Sequence, residues 1–142
     1  MKKFKIGYTQ GTFDMFHIGH LNLLKHAKEY CDILIVGVNS DVLVQEYKHK
    51  TPVIKQDERA EILRAIRYVD DVVICNTLKK VDIHKWLHFD AIFIGDDWKG
   101  NDRWIETETK LKEVGAKVVY LTYTKGVSST MLREKEEGKI ED

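Results

Sequence analysis

Short, nearly continuous apolar runs alternate along this chain with longer segments in which apolar residues recur every three or four positions. The runs are Phe4–Tyr8, Ile33–Val38, Val72–Cys75, Ala91–Ile94 and Lys117–Leu121. Their β-branched content and lack of polar interruption predict strands buried on both faces. Between them, His20–Tyr30 sets Leu21, Leu24 and Ala27 on one face, and Asp57–Tyr68, Val81–His88 and Thr107–Val114 carry the same helical spacing. A last helix is expected to open near Ser128. Alternation on this scale predicts parallel strands joined by right-handed crossovers. The expected fold is α/β: one Rossmann-like, doubly wound sheet of about five parallel strands with helices on both faces. A single domain is expected over 1–142, with 131–142 forming the end of the last helix and a charged tail. Ligands of such sheets sit beyond the carboxyl ends of the strands, near the switch in strand order.

The polar stretch Tyr47–Gln56, which contains the single proline, Pro52, is expected to be a mobile loop. A chain of 142 residues can bury one substantial core. Lys plus Arg and Asp plus Glu both total 23, so the net charge is zero and no broad nucleic-acid footprint is expected. A phosphate site needs only a few cations on one rim. Cys31 and Cys75 lie beside apolar runs and read as core thiols; no disulfide framework and no protein-held metal set is implied. The opening Met1-Lys2-Lys3-Phe4-Lys5 lacks the apolar run of a signal peptide, and no segment approaches a membrane span. The expectation is a cytoplasmic protein with no membrane insertion.

After the first strand comes Gly11-Thr12-Phe13-Asp14-Met15-Phe16-His17-Ile18-Gly19-His20, leading straight into a helical pattern. Two histidines three apart at a helix start can turn their rings to one side. The helix start adds unpaired N–H groups and the positive end of the dipole, which favour phosphate. Gly11 permits a tight strand exit, and Gly19 permits close approach of a phosphate to the backbone. Imidazoles donating to phosphate oxygens would stabilise charge that develops during phosphoryl transfer. The competing reading is a pair of histidines that merely cap a helix.

The whole segment resembles the signature of the cytidylyltransferase-like nucleotidyltransferase superfamily. The resemblance implies that His17 and His20 contact a triphosphate and that Thr12 and Asp14 shape the same pocket. Class I aminoacyl-tRNA synthetases share the letters His-Ile-Gly-His, but this chain is too short for tRNA-binding domains and lacks their lysine-rich second signature. Further along, Tyr47-Lys48-His49-Lys50-Thr51-Pro52-Val53, Glu58-Arg59 and Arg67-Tyr68-Val69-Asp70-Asp71 resemble the middle of bacterial glycerol-3-phosphate cytidylyltransferases. That resemblance implies phosphate contacts for Lys48 and Lys50, an acceptor contact for Arg67 and a supporting role for Arg59. Gly95-Asp96-Asp97-Trp98 is similar to the turn that lies beside nucleotide and acceptor in that branch. Thr124-Lys125-Gly126-Val127-Ser128-Ser129-Thr130 resembles the motif that opens the final helix and contacts the triphosphate; Ser and Thr hydroxyls there also make ordinary helix caps. Tyr123 stands where that family often has arginine, and Lys125 where an acidic residue is common.

The resemblance therefore implies His17, His20 and Lys50 as catalytic residues. It implies nucleotide binding by Gly11, Thr12, Phe13, Asp14, Gly19, Asp97, Thr124, Ser128, Ser129 and Thr130. Lys48, Arg67 and Trp98 would bind the acceptor. The implied reaction is CTP plus glycerol phosphate giving CDP-glycerol and pyrophosphate, for teichoic-acid or capsular polymer precursors. Mg²⁺ would accompany the triphosphate, and a homodimer is expected. Other acceptors in view are phosphoethanolamine, phosphocholine and sugar phosphates. ATP-dependent relatives act on heptose phosphate or flavin mononucleotide. From another class comes a nucleotide-binding regulator without turnover.

Overall fold

A computed structural model describes residues 2–122. Five strands, β1 (Phe4–Gly11), β2 (Cys31–Asn39), β3 (Asp71–Cys75), β4 (Ala91–Gly95) and β5 (Lys117–Leu121), form one parallel sheet in the order β3-β2-β1-β4-β5. The helices are α1 (Ile18–Tyr30), α2 (Asp41–Lys48), α3 (Gln56–Arg64), α4 (Lys80–Leu87) and α5 (Asp102–Glu113). The strand order reverses between β1 and β4, so the switch point lies at the carboxyl end of β1. The Rossmann-like α/β fold predicted from the apolar runs is the fold observed.

One core joins Leu24 and Ala27 of α1 and Ala60 and Leu63 of α3 to one face of the sheet, around Leu34, Val36, Val38 and Phe93. The other face packs Ile83 of α4 and Trp104 and Leu111 of α5 against Tyr8, Ile35, Ile92 and Val118. The sheet is thus covered on both sides, which is why its strands read as apolar runs without alternation. Gly37 is required by one close approach: a Cβ there would lie 1.9 Å from the Tyr8 hydroxyl. Among the described residues no helix is long and apolar enough to cross a membrane.

Several boundaries differ from the sequence expectation. Helix α2 was not anticipated; Ser40 caps it by accepting from the Leu43 amide at 3.1 Å. Helix α3 ends at Arg64, short of Tyr68, because the chain tightens there: the Ile66 amide bonds Leu63 O and the Val69 amide bonds Ile66 O. Ile66 and Val69 turn into the core at that point. Helix α5 starts at Asp102 rather than Thr107, since Asn101 accepts from the Arg103 and Trp104 amides. The Tyr47–Gln56 stretch begins inside α2, and its far end is held down by Asp14, whose carboxylate accepts from the Val53 amide at 2.7 Å and the Ile54 amide at 2.9 Å.

Candidate active site

The loop Thr12–His17 turns sharply from β1 into α1, with Phe13 and Met15 held at φ of 54° and 51°. Left-handed backbone at two non-glycine residues is costly and persists only where packing enforces it. Here the Phe13 ring is buried in the core and meets His20 edge-on, centroids 5.5 Å apart. His17 becomes the N-cap of α1. Its Nδ1 accepts from the Gly19 amide at 3.0 Å, and the Nδ1 of His20 accepts from the His17 amide at 3.1 Å. This reciprocal cap stacks the two rings with centroids 3.9 Å apart.

The capping reading and the chemical reading of the pair are therefore complementary. A neutral imidazole that accepts at Nδ1 carries its proton on Nε2. Both rings are held neutral: burial lowers the pKa of His17, and burial with the neighbouring His17 lowers that of His20 to about 4, against an opposing pull from Asp14. The cap thus fixes ring orientation and tautomer together, with the proton of each neutral ring on its distal nitrogen. The Gly19 amide is engaged in the cap, so its role is to complete that lock.

A cavity of about 270 Å³ opens at the carboxyl ends of β1, β2 and β4. It gathers Gly11, Thr12, Phe13, His20, Lys48, Asp97 and Trp98 of the anticipated residues. His17 stacks on His20 beside the residues that line the cavity, and is the less buried of the two rings. Asp14 is turned to the Val53 and Ile54 amides and acts on the loop that follows Lys48. Lys50 is exposed on that loop. Arg67 is not brought to this cavity: it lies on the turn before β3, stacked on Tyr68, at the amino edge of the sheet. There Asp70, three residues on, pairs with Lys28 at the far end of α1 from the histidines. Thr124, Ser128, Ser129 and Thr130, with Tyr123 and Lys125, lie outside the described residues.

Arg59, which the sequence left between surface and site, is 1% exposed. Its guanidinium donates to Ile54 O at 2.8 Å, Thr12 O at 2.7 Å, Asn39 O at 2.8 Å and Asp41 Oδ1 at 2.6 Å. One planar fork thus ties the β1 loop, the end of β2, the start of α2 and the loop before α3. Gln10, Asn39, Tyr47, Lys80, Arg103 and Trp104 also line the cavity and were missed. Gln10 and Asn39 did leave a signal, as polar residues at the carboxyl ends of apolar strands. Lys80 donates to Leu78 O and lies 5.5 Å from the Trp104 ring centroid; burial and the Arg103 charge lower its pKa to about 8.

The cytidylyltransferase-like family model matches residues 8–135. The chain belongs to this family. Within it, the chain is 43% identical to an FAD synthase of Pyrococcus abyssi, over 76% of this chain and 72% of that protein. It is 36% identical to the glycerol-3-phosphate cytidylyltransferase of Bacillus subtilis, over 89% of this chain and 92% of the relative. A solved lipopolysaccharide core biosynthesis protein from Thermoplasma volcanium GSS1 superposes with a TM-score of 0.75 at 24% identity, covering 85% of this chain and 98% of that one, which shows the shared fold. The nucleotidyltransferase assignment thus stands for the family as a whole. Relatives at 43% and 36% identity carry the names of different enzymes, the FAD synthase being the more similar of the two, so family membership leaves the acceptor to be argued from the cavity.

Proposed function

We propose that this protein transfers CMP from CTP to a small phosphorylated alcohol, with glycerol phosphate the leading acceptor, and releases pyrophosphate. The observation that carries the reaction class is the capped histidine pair, two neutral rings with distal N–H donors beside a cavity at the sheet's switch point. An oxygen of the acceptor phosphate attacks the α-phosphorus in line. The new P–O bond forms as the bond from the α-phosphorus to the α–β bridging oxygen breaks, and pyrophosphate leaves with that electron pair. The acceptor phosphate is already an anion at neutral pH, so no covalent enzyme intermediate is needed. His20 and His17 donate to phosphate oxygens as charge builds, and Lys48 and Lys50 add positive charge from the α2 side.

Among the described residues no cluster of three His, Cys, Asp or Glu side chains stands ready to hold an ion. Mg²⁺ would accompany the triphosphate and offset the charge of its phosphate oxygens. The glycerol phosphate reading draws on the Asp97-Trp98 turn at the cavity and on a cytidylyltransferase relative aligned over nearly its full length. A second reading, AMP transfer from ATP to flavin mononucleotide, is favoured by the FAD synthase similarity. A cleft of about 730 Å³ between α4 and α5, walled in part by Trp104, adjoins the cavity and offers room for a planar ring system.

Pyrophosphate release separates these readings when CTP and ATP are each crossed with glycerol 3-phosphate, phosphoethanolamine, phosphocholine, a heptose phosphate and flavin mononucleotide. Release with CTP and glycerol 3-phosphate is the expected result. Release only with ATP and flavin mononucleotide would replace the cytidylyl reading. Nucleotide binding without turnover for every pair would make the protein a regulator. The homodimer implied by the resemblance is a separate proposal, tested by sedimentation equilibrium.

A further inference from the structure

A chain of polar side chains crosses the carboxyl end of the sheet beneath the cavity. The Tyr8 hydroxyl, fully buried, contacts Cys75 Sγ at 3.2 Å and Gln10 Oε1 at 2.8 Å. Gln10 Nε2 donates to Asn39 Oδ1 at 2.8 Å and to Thr77 O at 3.1 Å. Asn39 Nδ2 then reaches Tyr47 Oη at 3.1 Å and Thr12 Oγ1 at 3.4 Å, and those two hydroxyls lie 3.2 Å apart.

One group fixes the direction of the whole chain. The Thr77 carbonyl can only accept, so the nitrogen of Gln10 must face it. Gln10 Oε1 then faces Tyr8, which makes Tyr8 the donor and Cys75 S–H the donor to Tyr8. Burial raises the pKa of both Tyr8 and Cys75, so both keep the protons this direction requires. Because Gln10 donates to Asn39, Asn39 must present its oxygen to Gln10 and its nitrogen to Tyr47 and Thr12.

Two hydroxyl protons remain, on Tyr47 and Thr12, and the contact between those oxygens can use only one. Among the described residues neither hydroxyl has another protein acceptor. The remaining proton therefore points into the cavity that both residues line. The phenol is the stronger acid of the two and receives the shorter bond from Asn39. Either hydroxyl can donate in their mutual contact. Once an anionic oxygen enters the cavity, the stronger acid gives its proton to that better acceptor, with Thr12 then donating to the phenol. The Lys48 ammonium lies 5.8 Å from the Tyr47 ring centroid and also lines the cavity. A hydrogen-bond donor beside a cation suits an anionic oxygen.

We propose that Tyr47 donates to an oxygen of the acceptor's phosphate, and that Gln10, acting through Asn39, is the positioning residue that aims it. This deepens the proposed function and rests on that reading. The test is a double-mutant cycle on Gln10→Met and Tyr47→Phe, read as KM for glycerol 3-phosphate with CTP saturating. Each single variant is expected to raise acceptor KM about tenfold, the loss of one charge-assisted hydrogen bond. The KM for CTP should stay within about twofold. In the Tyr47→Phe background, Gln10→Met should add little, because its effect passes through the phenol. Asn39→Asp reaches the same point from the other side: its oxygen draws the phenol proton inward, so acceptor KM rises while the bond from Gln10 survives. Multiplicative effects in the cycle, or an unchanged acceptor KM in Tyr47→Phe, overturn the proposal.

A readout independent of turnover separates this proposal from the function it rests on. In protein labelled with [¹³Cζ]tyrosine, the Tyr47 resonance, assigned by its loss in Tyr47→Phe, should move on Gln10→Met without ligand. In the unaltered protein it should also move on adding glycerol 3-phosphate in the presence of CTP. A resonance blind to Gln10→Met overturns the aiming role even if the enzyme is active. A resonance that responds to Gln10→Met in a protein silent with every substrate pair upholds the aiming chain and rejects the proposed function.

Discussion

Replacing Arg59 by methionine should cost about 4 kcal/mol of stability. Methionine fills much of the aliphatic space of the arginine but makes none of its four hydrogen bonds. Three backbone carbonyls, on Ile54, Thr12 and Asn39, would lose a charged donor, each at about 1 kcal/mol after partial access of water. The ion pair with Asp41 is discounted to about 1 kcal/mol, because the Asp41 side chain is 34% exposed and can be rehydrated. For a chain of this size the sum corresponds to a fall in Tm of about 12 °C. Circular dichroism melts at neutral pH measure it directly. Arg59→Lys should recover less than half, since one ammonium cannot span four acceptors on four segments. Turnover of Arg59→Met should also fall below its melting range, because Thr12 and Asn39 line the cavity. A fall in Tm under about 3 °C would refute the clamp and with it the reasoning that shapes the cavity floor.

Substituting His17→Ala or His20→Ala should reduce turnover by about a hundredfold or more. The loss of the cap should cost only about 1 kcal/mol, so a folded double variant with near-normal turnover would contradict the assigned role. Acid should weaken the fold through His20, because its folded pKa is depressed from 6.5 to about 4. Below pH 6.5 the unfolded chain binds the proton first, so stability drops as pH falls, by about 2 kcal/mol at pH 5 from this residue. Denaturant unfolding of the protein and of His20→Gln at pH 7 and pH 5 checks this; equal pH sensitivity in both would remove His20 as the cause. Lys50→Ala should mainly raise KM for the phosphorylated substrates, and unchanged steady-state kinetics would return Lys50 to the solvated surface.

The strands were legible because both faces of the sheet are covered, so burial itself writes the apolar runs. Helix α2 was not, because its buried residues, Leu43 and Val44, are adjacent and show no helical period over eight residues. Its start was still marked by the Ser40-Asp41 cap. The β1 loop was legible as a unit, but not the direction of Asp14: Gly-Thr-Phe-Asp names the turn, while the two positive-φ residues decide that the carboxylate faces Val53 and Ile54. Arg67 was misplaced for a related reason. A helix reaching Tyr68 would have carried Arg67 two turns past Arg59 on the same side. The helix ends at Arg64, and the chain turns to the amino edge of the sheet. Lys80, Arg103 and Trp104 meet at the cavity only through the crossover that brings the starts of α4 and α5 together, a contact between segments with no local pattern.

The central claim is that the cap on α1 holds two neutral imidazoles with their protons on the distal nitrogens, ready to donate to a triphosphate. Nitrogen NMR of [¹⁵N]histidine-labelled protein at neutral pH reports charge and tautomer of each ring directly. The account predicts neutral, Nε2-protonated rings for both His17 and His20, and displacement of both Nε2–H signals when CTP is added with Mg²⁺. Protons on Nδ1, or Nε2–H signals unmoved by a nucleotide that binds, would contradict it.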